Sequence, residues 1–204
     1  RFDLNDTLAL PNVTPVSIKA TPFSLRQQWE IPQVLRHYGA DVYHTPYYIM
    51  PYALPCPTIV TVHDLIPLLF PHSLPQPRLA TLYRFLVQAC VHRADHIIVD
   101  SDASLRDLTE KFRVPSHKVT RVYLGVDDLF TPRSPDALAA YRAQKDLLNP
   151  YVLYVGINKP HKNLANLLRA WAILPPSLRQ TYTLVLAGPQ DPRYLETQAL
   201  AAQL

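Results

Sequence analysis

The residues with the clearest chemical potential lie in the segment YVLYVGINKPHKNLANLLRAW, residues 151–171. Its apolar start, 151–155, predicts a buried strand of a parallel sheet, and apolar side chains recur at helical spacing over 164–171. Gly156 lies in the intervening turn, and Lys162 falls in the predicted first helical turn. Ligands bind at the carboxyl ends of strands in open α/β sheets, where a helix N-terminus adds unpaired N–H groups. A lysine at this place predicts a phosphate or diphosphate site.

Three further segments occur in a characteristic order with 151–171: TVHDLIP at 61–67, DSDASLRDLTEKFRVPSHKVTRVYLGVDDLF at 100–130 and VLAGP at 185–189. Together the four motifs resemble glycosyltransferase family 4, the retaining nucleotide-sugar enzymes of GT-B fold. The resemblance extends from about Trp29 to the end of the chain. It implies an α/β fold of two Rossmann-like parallel-sheet domains. The implied activity is transfer of a hexosyl unit, with mannosyl as the leading candidate, from a nucleotide diphosphate sugar.

The resemblance assigns His63 to a position that faces the donor sugar across a cleft between the two domains. His63 follows the predicted strand 58–62, at its carboxyl end. A neutral imidazole can donate a hydrogen bond to a sugar hydroxyl or accept one, and it can help stabilise an oxocarbenium-like transition state without acting as a base. Asp64 could orient this imidazole or a neighbouring backbone N–H, and it is also a candidate contact on the acceptor side.

Gly156, His161 and Lys162 are the contacts that the resemblance implies for the donor diphosphate. Lys162 would stabilise charge on the leaving nucleoside diphosphate, and Gly156 would let the backbone approach the ligand. His161 departs from the family pattern, in which Arg is common at this position or directly after the strand glycine, where this chain has Ile157. Either the diphosphate draws His161 into its cationic form, or another cation assists Lys162.

An aromatic segment, VYHTPYYIMPY at 42–52, could form a platform for a sugar, although such clusters more often pack in a core. The resemblance places the corresponding segment along the cleft, which makes His44 and Tyr47 candidates for the acceptor side. The expected partners are a nucleotide-sugar donor and a glycan or lipid-linked acceptor. We expect no metal and no organic cofactor, because cations and a helix dipole would neutralise the diphosphate.

The composition fits a globular enzyme: 204 residues, 48% hydrophobic and 18% charged, can bury a sizeable core. The net charge of +4 suits anionic partners such as nucleotide sugars or a phospholipid surface, but no Lys/Arg block indicates nucleic acid. No run approaches the roughly 18 apolar residues of a membrane helix, and no signal-peptide core is visible. We therefore expect a cytoplasmic protein, with a peripheral contact at the inner face of the membrane left open. Cys56 and Cys90 lack C-x-x-C spacing, so we expect reduced thiols.

Several other enzyme classes are disfavoured by missing residues. His92 and His96 are four apart, but no Glu follows His92, so a zinc protease is not supported. No G-x-S-x-G elbow accompanies Ser101 or Ser104, which argues against an α/β-hydrolase. The four glycines, at 39, 125, 156 and 188, exclude G-x-G-x-x-G and disfavour a dinucleotide oxidoreductase.

Strands and helices are expected to alternate, which calls for a parallel sheet. Strands are predicted at 13–18, 41–44, 58–62, 97–99, 118–123, 151–155 and 182–186. A helix at 25–38 should kink or end at Pro32, and Ser101 should cap a helix that reaches about Phe112. Asn158 should cap the helix that follows 151–155, and another helix should begin near 193. A helix at 78–94 has a predicted buried stripe of Leu82, Phe85, Leu86 and Ala89.

These elements predict an acceptor-side domain at 1–130, a linker at 131–150 that includes a short amphipathic helix, and the start of a donor domain at 151–204. Both domains are expected to be incomplete, as in an internal fragment, because the Gly-rich first turn and the acidic E-x7-E region of the family are missing. A GT-B nucleotide-sugar epimerase and a non-catalytic sugar-nucleotide binding protein are the alternatives. An intact E-x7-E region in the full gene would favour the transferase.

Overall fold

The structure is a computed structural model, which describes residues 12–21, 23–71, 74, 76 and 78–204. The chain divides into two compact units, with the boundary between Leu124 and Gly125. The prediction of a strand at 13–18 is wrong, since these residues form none. Pro15 cannot donate to a sheet, and the side chains of Val13 and Ile18 are 43% and 40% exposed.

A four-stranded parallel sheet organises the first unit. Its strands are β1 (Tyr43–Thr45), β2 (Thr58–Thr61), β3 (His96–Val99) and β4 (Val119–Arg121), in the spatial order β1-β2-β3-β4. These four strand predictions are confirmed, with bounds that differ by up to two residues. The register pairs Thr61 with Ile98, and therefore brings the carboxyl ends of β2 and β3 side by side.

The first unit has helix α1 (Gln27–His37) before β1, α2 (Ile66–Leu69) and α3 (Leu79–Arg93) between β2 and β3, and α4 (Asp102–Phe112) between β3 and β4. The expectation that the helix ends at Pro32 is wrong, because α1 continues through this buried proline, and a kink at Pro32 stays a prediction. The Gln28 side chain ties the first turn of α1 to the following loop, since its amide donates to Met50 O at 3.0 Å and its oxygen accepts from Tyr52 N at 3.1 Å. Tertiary anchoring thus offsets the hydrogen bond that Pro32 cannot donate.

The buried face of α3 is not the predicted one. Leu82 and Phe85 are 53% and 69% exposed, and the side chains that pack inward belong to Tyr83, Val87, Cys90 and Val91. Apolar residues surround much of this helix, so periodicity alone supports more than one stripe. The sheet against which α3 packs decides which stripe is buried.

The core of the first unit joins the sheet to α3 and α4. Its fully buried side chains include Met50, Val60, Val62, Leu65, Val87, Cys90, Ile97, Val99 and Leu108. Burial raises the pKa of the Cys90 thiol to about 12, so this residue behaves as a small apolar side chain. Cys56 is also free and buried. This packing gives β2 and β3 a rigid footing for the residues that follow them.

The second unit contains a parallel pair, β5 (Tyr151–Val155) and β6 (Thr183–Ala187). Its helices are α5 (Pro135–Gln144), α6 (Leu164–Ala172), α7 (Pro176–Thr181) and α8 (Glu196–Gln203). Helix α5 is the short helix predicted within 131–150, and the assignment of that segment as a linker stays a prediction. The expected burial of β5 is wrong, because Leu153 and Val155 are 51% and 73% exposed in a sheet with two described strands.

Among the helices of the described residues, none combines the length and the hydrophobicity that crossing a bilayer requires.

Candidate functional site

The carboxyl edge of the first unit's sheet brings together an imidazole and a carboxylate. His63 follows β2 and Asp100 follows β3, and the pairing of Thr61 with Ile98 carries these two residues to the same level of the sheet. His63 Nδ1 lies 3.1 Å from Asp100 Oδ2. The two side chains are 44% and 17% exposed, so the pair can be reached from solvent while the carboxylate is partly enclosed.

A second contact holds the backbone of His63. The Ser104 hydroxyl donates to the His63 carbonyl oxygen at 2.5 Å. Ser104 lies in the first turn of α4, where its backbone N–H donates to Ser101 Oγ at 3.2 Å, which confirms Ser101 as the helix cap. The start of α4 therefore fixes the position of the imidazole.

Of the two tasks expected of Asp64, the structure shows the binding of a neighbouring backbone N–H and not the orientation of the imidazole. Its Oδ1 accepts from Ile66 N at 2.9 Å, and its carbonyl oxygen accepts from the Tyr83 hydroxyl at 3.4 Å. These contacts stabilise the turn into α2, and the ring of His63 is bound by Asp100 instead. Sequence reasoning missed Asp100. The available signal was that Asp100 directly follows a strand expected to pair in parallel with the one before His63.

The acceptor-side candidates His44 and Tyr47 lie at and just after β1. His44 Nε2 is 2.8 Å from Thr61 Oγ1, and the Tyr47 hydroxyl forms a short hydrogen bond with the Tyr48 hydroxyl. Tyr48 is buried and its ring packs edge-on against Tyr83, with 4.7 Å between centroids. Burial raises the pKa of both phenols, so Tyr48 and Tyr83 stay protonated. The aromatic segment is thus divided, with Tyr48 in the core and Tyr47 at the surface.

Two glycines face each other at the carboxyl edge of the second unit's sheet. The register pairs Val155 with Ala187, so Gly156 and Gly188 are the next residues on both strands. Gly188 has a φ of +144°, and a Cβ added there would lie 2.3 Å from Gly156 O. Gly188 must therefore be glycine for the two backbones to approach this closely.

Asn158 connects the two loops that leave this edge, and the prediction that it caps a helix is wrong. Its side-chain oxygen accepts from Asp191 N at 2.6 Å. Its amide donates to Asp191 O at 3.1 Å and to Tyr194 O at 2.6 Å. The residue at the cap position of α6 is Asn163, in the left-handed conformation with a φ of 58°. Asn158 acts across the sheet edge because it supplies both acceptor and donor to the β6 loop.

An ion pair closes the β6 loop. Arg193 Nε lies 2.9 Å from Asp191 Oδ1, and Arg193 Nη2 lies 2.6 Å from Asp191 Oδ2. The Arg193 side chain and then its backbone N–H, both donating to the carboxylate, lower the pKa of Asp191 to about 2. Asp191 therefore stays ionised at neutral pH and keeps the loop folded against Asn158.

His161 and Lys162 lie in a 3-10 turn, Pro160–Lys162, that precedes α6. The expectation that Lys162 occupies the first turn of the α-helix is therefore wrong by two residues. Its side chain is exposed, and that of His161 is half-buried. We call the carboxyl edge of β5 and β6, where Gly156 and Gly188 face each other, the glycine edge. A cavity of about 200 Å³ lies there, and its lining includes Gly156, Asn158, Leu164, Gly188, Pro189 and Gln190. His161 and Lys162 do not line this cavity.

Among the described residues, no group of three or more His, Cys, Asp or Glu side chains could hold a metal ion.

Comparison with known proteins gives a family and a fold. A sequence model of glycosyltransferase family 4 matches residues 2–130. The O-antigen chain mannosyltransferase B of Escherichia coli is 29% identical over 164 residues, which are 80% of this chain and 42% of that protein. The serotype-specific mannosyltransferase WbdA of Escherichia coli is also 29% identical, over 146 residues that cover 70% of this chain and 18% of that protein.

Solved structures share the α/β architecture. Anabaena HepE in complex with UDP-glucose superposes with a TM-score of 0.67 at 20% identity, over 89% of this chain and 50% of that one. WaaG, a glycosyltransferase involved in lipopolysaccharide biosynthesis, superposes with a TM-score of 0.61 at 19% identity, over 93% and 52%.

The parallel sheets and these neighbours confirm the GT-B type of fold, and this chain spans about half the length of the solved relatives. The family model covers more than half of the chain and includes the motifs at 61–67 and 100–130. The chain belongs to glycosyltransferase family 4.

Proposed function

We propose that the protein transfers a hexosyl unit from a nucleotide diphosphate sugar to a glycan or lipid-linked acceptor, with retention of anomeric configuration. One observation carries the proposal: in a chain of this family, His63 is fixed at a sheet's carboxyl edge by both its ring and its backbone. A partly exposed and immobilised imidazole is suited to bind a sugar hydroxyl and to stabilise developing positive charge.

A nucleotide sugar as donor is supported by the solved neighbours, since HepE has been crystallised with UDP and with UDP-glucose. On this proposal Gly156 contacts the diphosphate through its backbone, and Lys162 and His161 supply positive charge to it. The side chain of Lys162 is exposed in the turn that follows this sheet edge. Charge on the departing nucleoside diphosphate would be neutralised by these groups, and that no metal takes part stays a prediction.

Mannose as the transferred sugar is supported by the Escherichia coli relatives, which are named mannosyltransferases. A glycan or lipid-linked acceptor is supported by the O-antigen and lipopolysaccharide roles that the names of relatives record. His44, Tyr47 and Asp64 are the proposed acceptor-side residues, and the partly exposed Tyr47 hydroxyl and His44 ring offer hydrogen bonds to sugar hydroxyls. A peripheral contact with the membrane also stays a prediction.

The chemical course that we propose needs little covalent participation by the protein. The bond between the anomeric carbon and the diphosphate oxygen breaks, and the acceptor hydroxyl attacks from the face that the diphosphate leaves. Its proton passes to the departing phosphate oxygen, so the products are the glycoside and the nucleoside diphosphate. The protein contributes positioning of the two substrates and electrostatic stabilisation of the separated charges.

The test is an assay of the full-length protein with GDP- and UDP-sugars and lipid-linked or oligosaccharide acceptors, with NMR of the product's anomeric proton. We expect transfer with retention, and a fall in turnover of about 10²-fold for His63→Ala. His96→Ala is the matched control, because His96 starts β3 at the opposite edge and contacts Thr120. An inverted product would contradict the retaining mechanism, and an epimerised sugar without transfer would favour an epimerase.

A further inference from the structure

The His63–Asp100 contact has a consequence for the chemistry of the imidazole. We propose that Asp100 is a positioning residue that holds His63 with Nδ1 protonated, so that Nε2 accepts a hydrogen bond from a hydroxyl of the transferred sugar. That the hydroxyl belongs to a transferred sugar rests on the proposed function. The state of the ring does not, because it follows from the contact between the two side chains.

An ionised carboxylate can only accept hydrogen bonds, so the 3.1 Å contact requires a proton on His63 Nδ1. In the neutral ring the other nitrogen, Nε2, then carries the free lone pair. A sugar hydroxyl is the natural donor to this atom. If the ring instead becomes cationic, the same carboxylate stabilises it as positive charge develops nearby.

Asp64, Asp100 and Asp102 are the carboxylates next to His63 or just after β3, and among the described hydrogen bonds only Asp100 contacts the ring. Asp64 Oδ1 accepts from Ile66 N at 2.9 Å. Asp102 forms a short ion pair with Arg121, whose guanidinium also stacks on Tyr123 at 4.4 Å from the ring centroid. Asp100 is left to bind the imidazole, and it does so from a backbone position next to the helix cap.

The start of α4 fixes the orientation of the His63 ring. Asp100 immediately precedes Ser101, which caps α4, and Ser104 of the same turn holds the His63 carbonyl. Two groups of one short segment therefore fix the ring and the backbone of His63. A carboxylate held this way can select one tautomer of the ring without large loss of side-chain entropy on binding.

The first experiment determines the tautomer of the His63 ring and does not depend on transferase activity. Two-dimensional NMR of the ¹⁵N-labelled full-length protein at a pH where His63 is neutral distinguishes Nδ1–H from Nε2–H. We expect the Nδ1–H form in the wild type and a shift towards Nε2–H in Asp100→Ala. Asp102→Asn is the matched control, because it removes a charge from the same segment but does not contact His63; it should leave the spectrum of His63 unchanged. An Nε2–H ring in the wild type would overturn the proposal.

The second experiment is a double-mutant cycle in the transferase assay. Asp100→Ala should lower kcat about tenfold, the loss expected for a hydrogen bond to a charged group, with little change in the KM for the donor. Asp100→Asn should recover part of this loss, since its amide oxygen still accepts from Nδ1–H. In a His63→Ala background Asp100→Ala should have no further effect on kcat.

The outcomes separate this proposal from the function on which it rests. If His63→Ala abolishes transfer while Asp100→Ala retains full kcat and an unchanged tautomer, Asp100 is not a positioning residue and the function stands. If His63→Ala transfers sugar like the wild type, the proposed role of His63 fails, whatever the spectrum shows. Equal losses from Asp100→Ala with and without His63 would mean a structural role only. Melting temperatures of all variants establish that each is folded.

Discussion

The carboxyl edges of the two sheets are built in opposite ways. At the edge of β2 and β3, side chains make the contacts: the His63 ring contacts Asp100, and the hydroxyl of Ser104 holds the loop. At the edge of β5 and β6, backbone contacts dominate. Gly156 and Gly188 bring two main chains together, and Asn158 binds main-chain atoms of the β6 loop.

The two edges should therefore respond differently to substitution. The edge of β2 and β3 with His63 and Asp100, the imidazole edge, is partly exposed and lies above a buried core. Substitution of these side chains should therefore leave the fold intact. The glycine edge is part of the packing of a small sheet, so its residues carry stability and ligand approach together. We therefore expect the most damaging substitutions at the glycine edge and the least damaging one at the imidazole edge.

Gly188→Ala should have the largest effect on stability. The new methyl group would lie 2.3 Å from a backbone oxygen, at a φ of +144° that favours glycine, so we expect a loss of roughly 3 kcal/mol or more in the second unit. Hydrogen exchange of peptides that contain β5 and β6 measures it. Gly125→Ala is the control, since a Cβ added at Gly125 would meet no other atom within 4 Å. If β5 and β6 of Gly188→Ala were as well protected from hydrogen exchange as in the wild type, the glycine edge would not carry stability in the way proposed.

Asn158→Ala should come next, at about 2 kcal/mol, because it leaves Asp191 N and two carbonyl oxygens without their side-chain partner. The same hydrogen-exchange peptides report the loss. Asn166→Ala offers a matched change on the exposed surface of α6, where the Asn166 side chain accepts from Arg169 as its one described hydrogen bond, and it should cost less than about 0.5 kcal/mol. Equal costs for the two asparagines would show that Asn158 does not connect the loops.

Arg193→Ala should destabilise the second unit in a pH-dependent way. The pKa of Asp191 is lowered from 3.8 to about 2 in the folded protein, so the ion pair stabilises the fold above about pH 4, and this contribution disappears as the pH falls towards 2. The difference in melting temperature between Arg193→Ala and the wild type should therefore shrink with acidification from about pH 6 to about pH 3. Arg179→Ala, which removes a contact with the Leu174 carbonyl and no carboxylate, should show no such trend.

Asp100→Asn should have the smallest effect on stability, because the contact with His63 is partly exposed and the sheet core lies elsewhere. We expect a change within about 0.5 kcal/mol in the free energy of unfolding of the first unit. Urea denaturation, monitored by hydrogen exchange of peptides from the first unit, measures this change. Leu108→Ala, which empties a fully buried position, should cost about 3 kcal/mol and gives the scale. A cost for Asp100→Asn near that of Leu108→Ala would mean that the imidazole edge is structural after all.

Much of the fold could be predicted because the strands have distinctive local sequences. The β-branched run Thr58–Thr61 and the order of strands and helices led to parallel sheets, which the structure contains. The buried face of α3 could not be predicted in the same way, since Leu82 and Tyr83 both lie on apolar stripes and only packing against the sheet selects one. The continuation of α1 past Pro32 could not be predicted either, because the contacts of Gln28 that hold this helix are distant in sequence.

In the candidate site, too, local motifs could be predicted and contacts between distant residues could not. His63 could be chosen from its motif, but its partner Asp100 lies 37 residues away and becomes visible only through the strand register. Asn158 was predicted to cap a helix from its place before a proline, and its actual partners follow β6. Contacts across neighbouring strands, rather than residue types, are what the sequence left undetermined.

Nucleotide affinity and turnover should be compared in the full-length protein for Lys162→Ala, His63→Ala and one control variant. Calorimetry should show that Lys162→Ala raises the Kd for GDP or UDP about tenfold while Lys145→Ala, another exposed lysine, does not. His63→Ala should leave that Kd unchanged and lower kcat. Unchanged nucleotide affinity in Lys162→Ala, or weakened nucleotide binding in His63→Ala at full turnover, would contradict the division of tasks between the two edges.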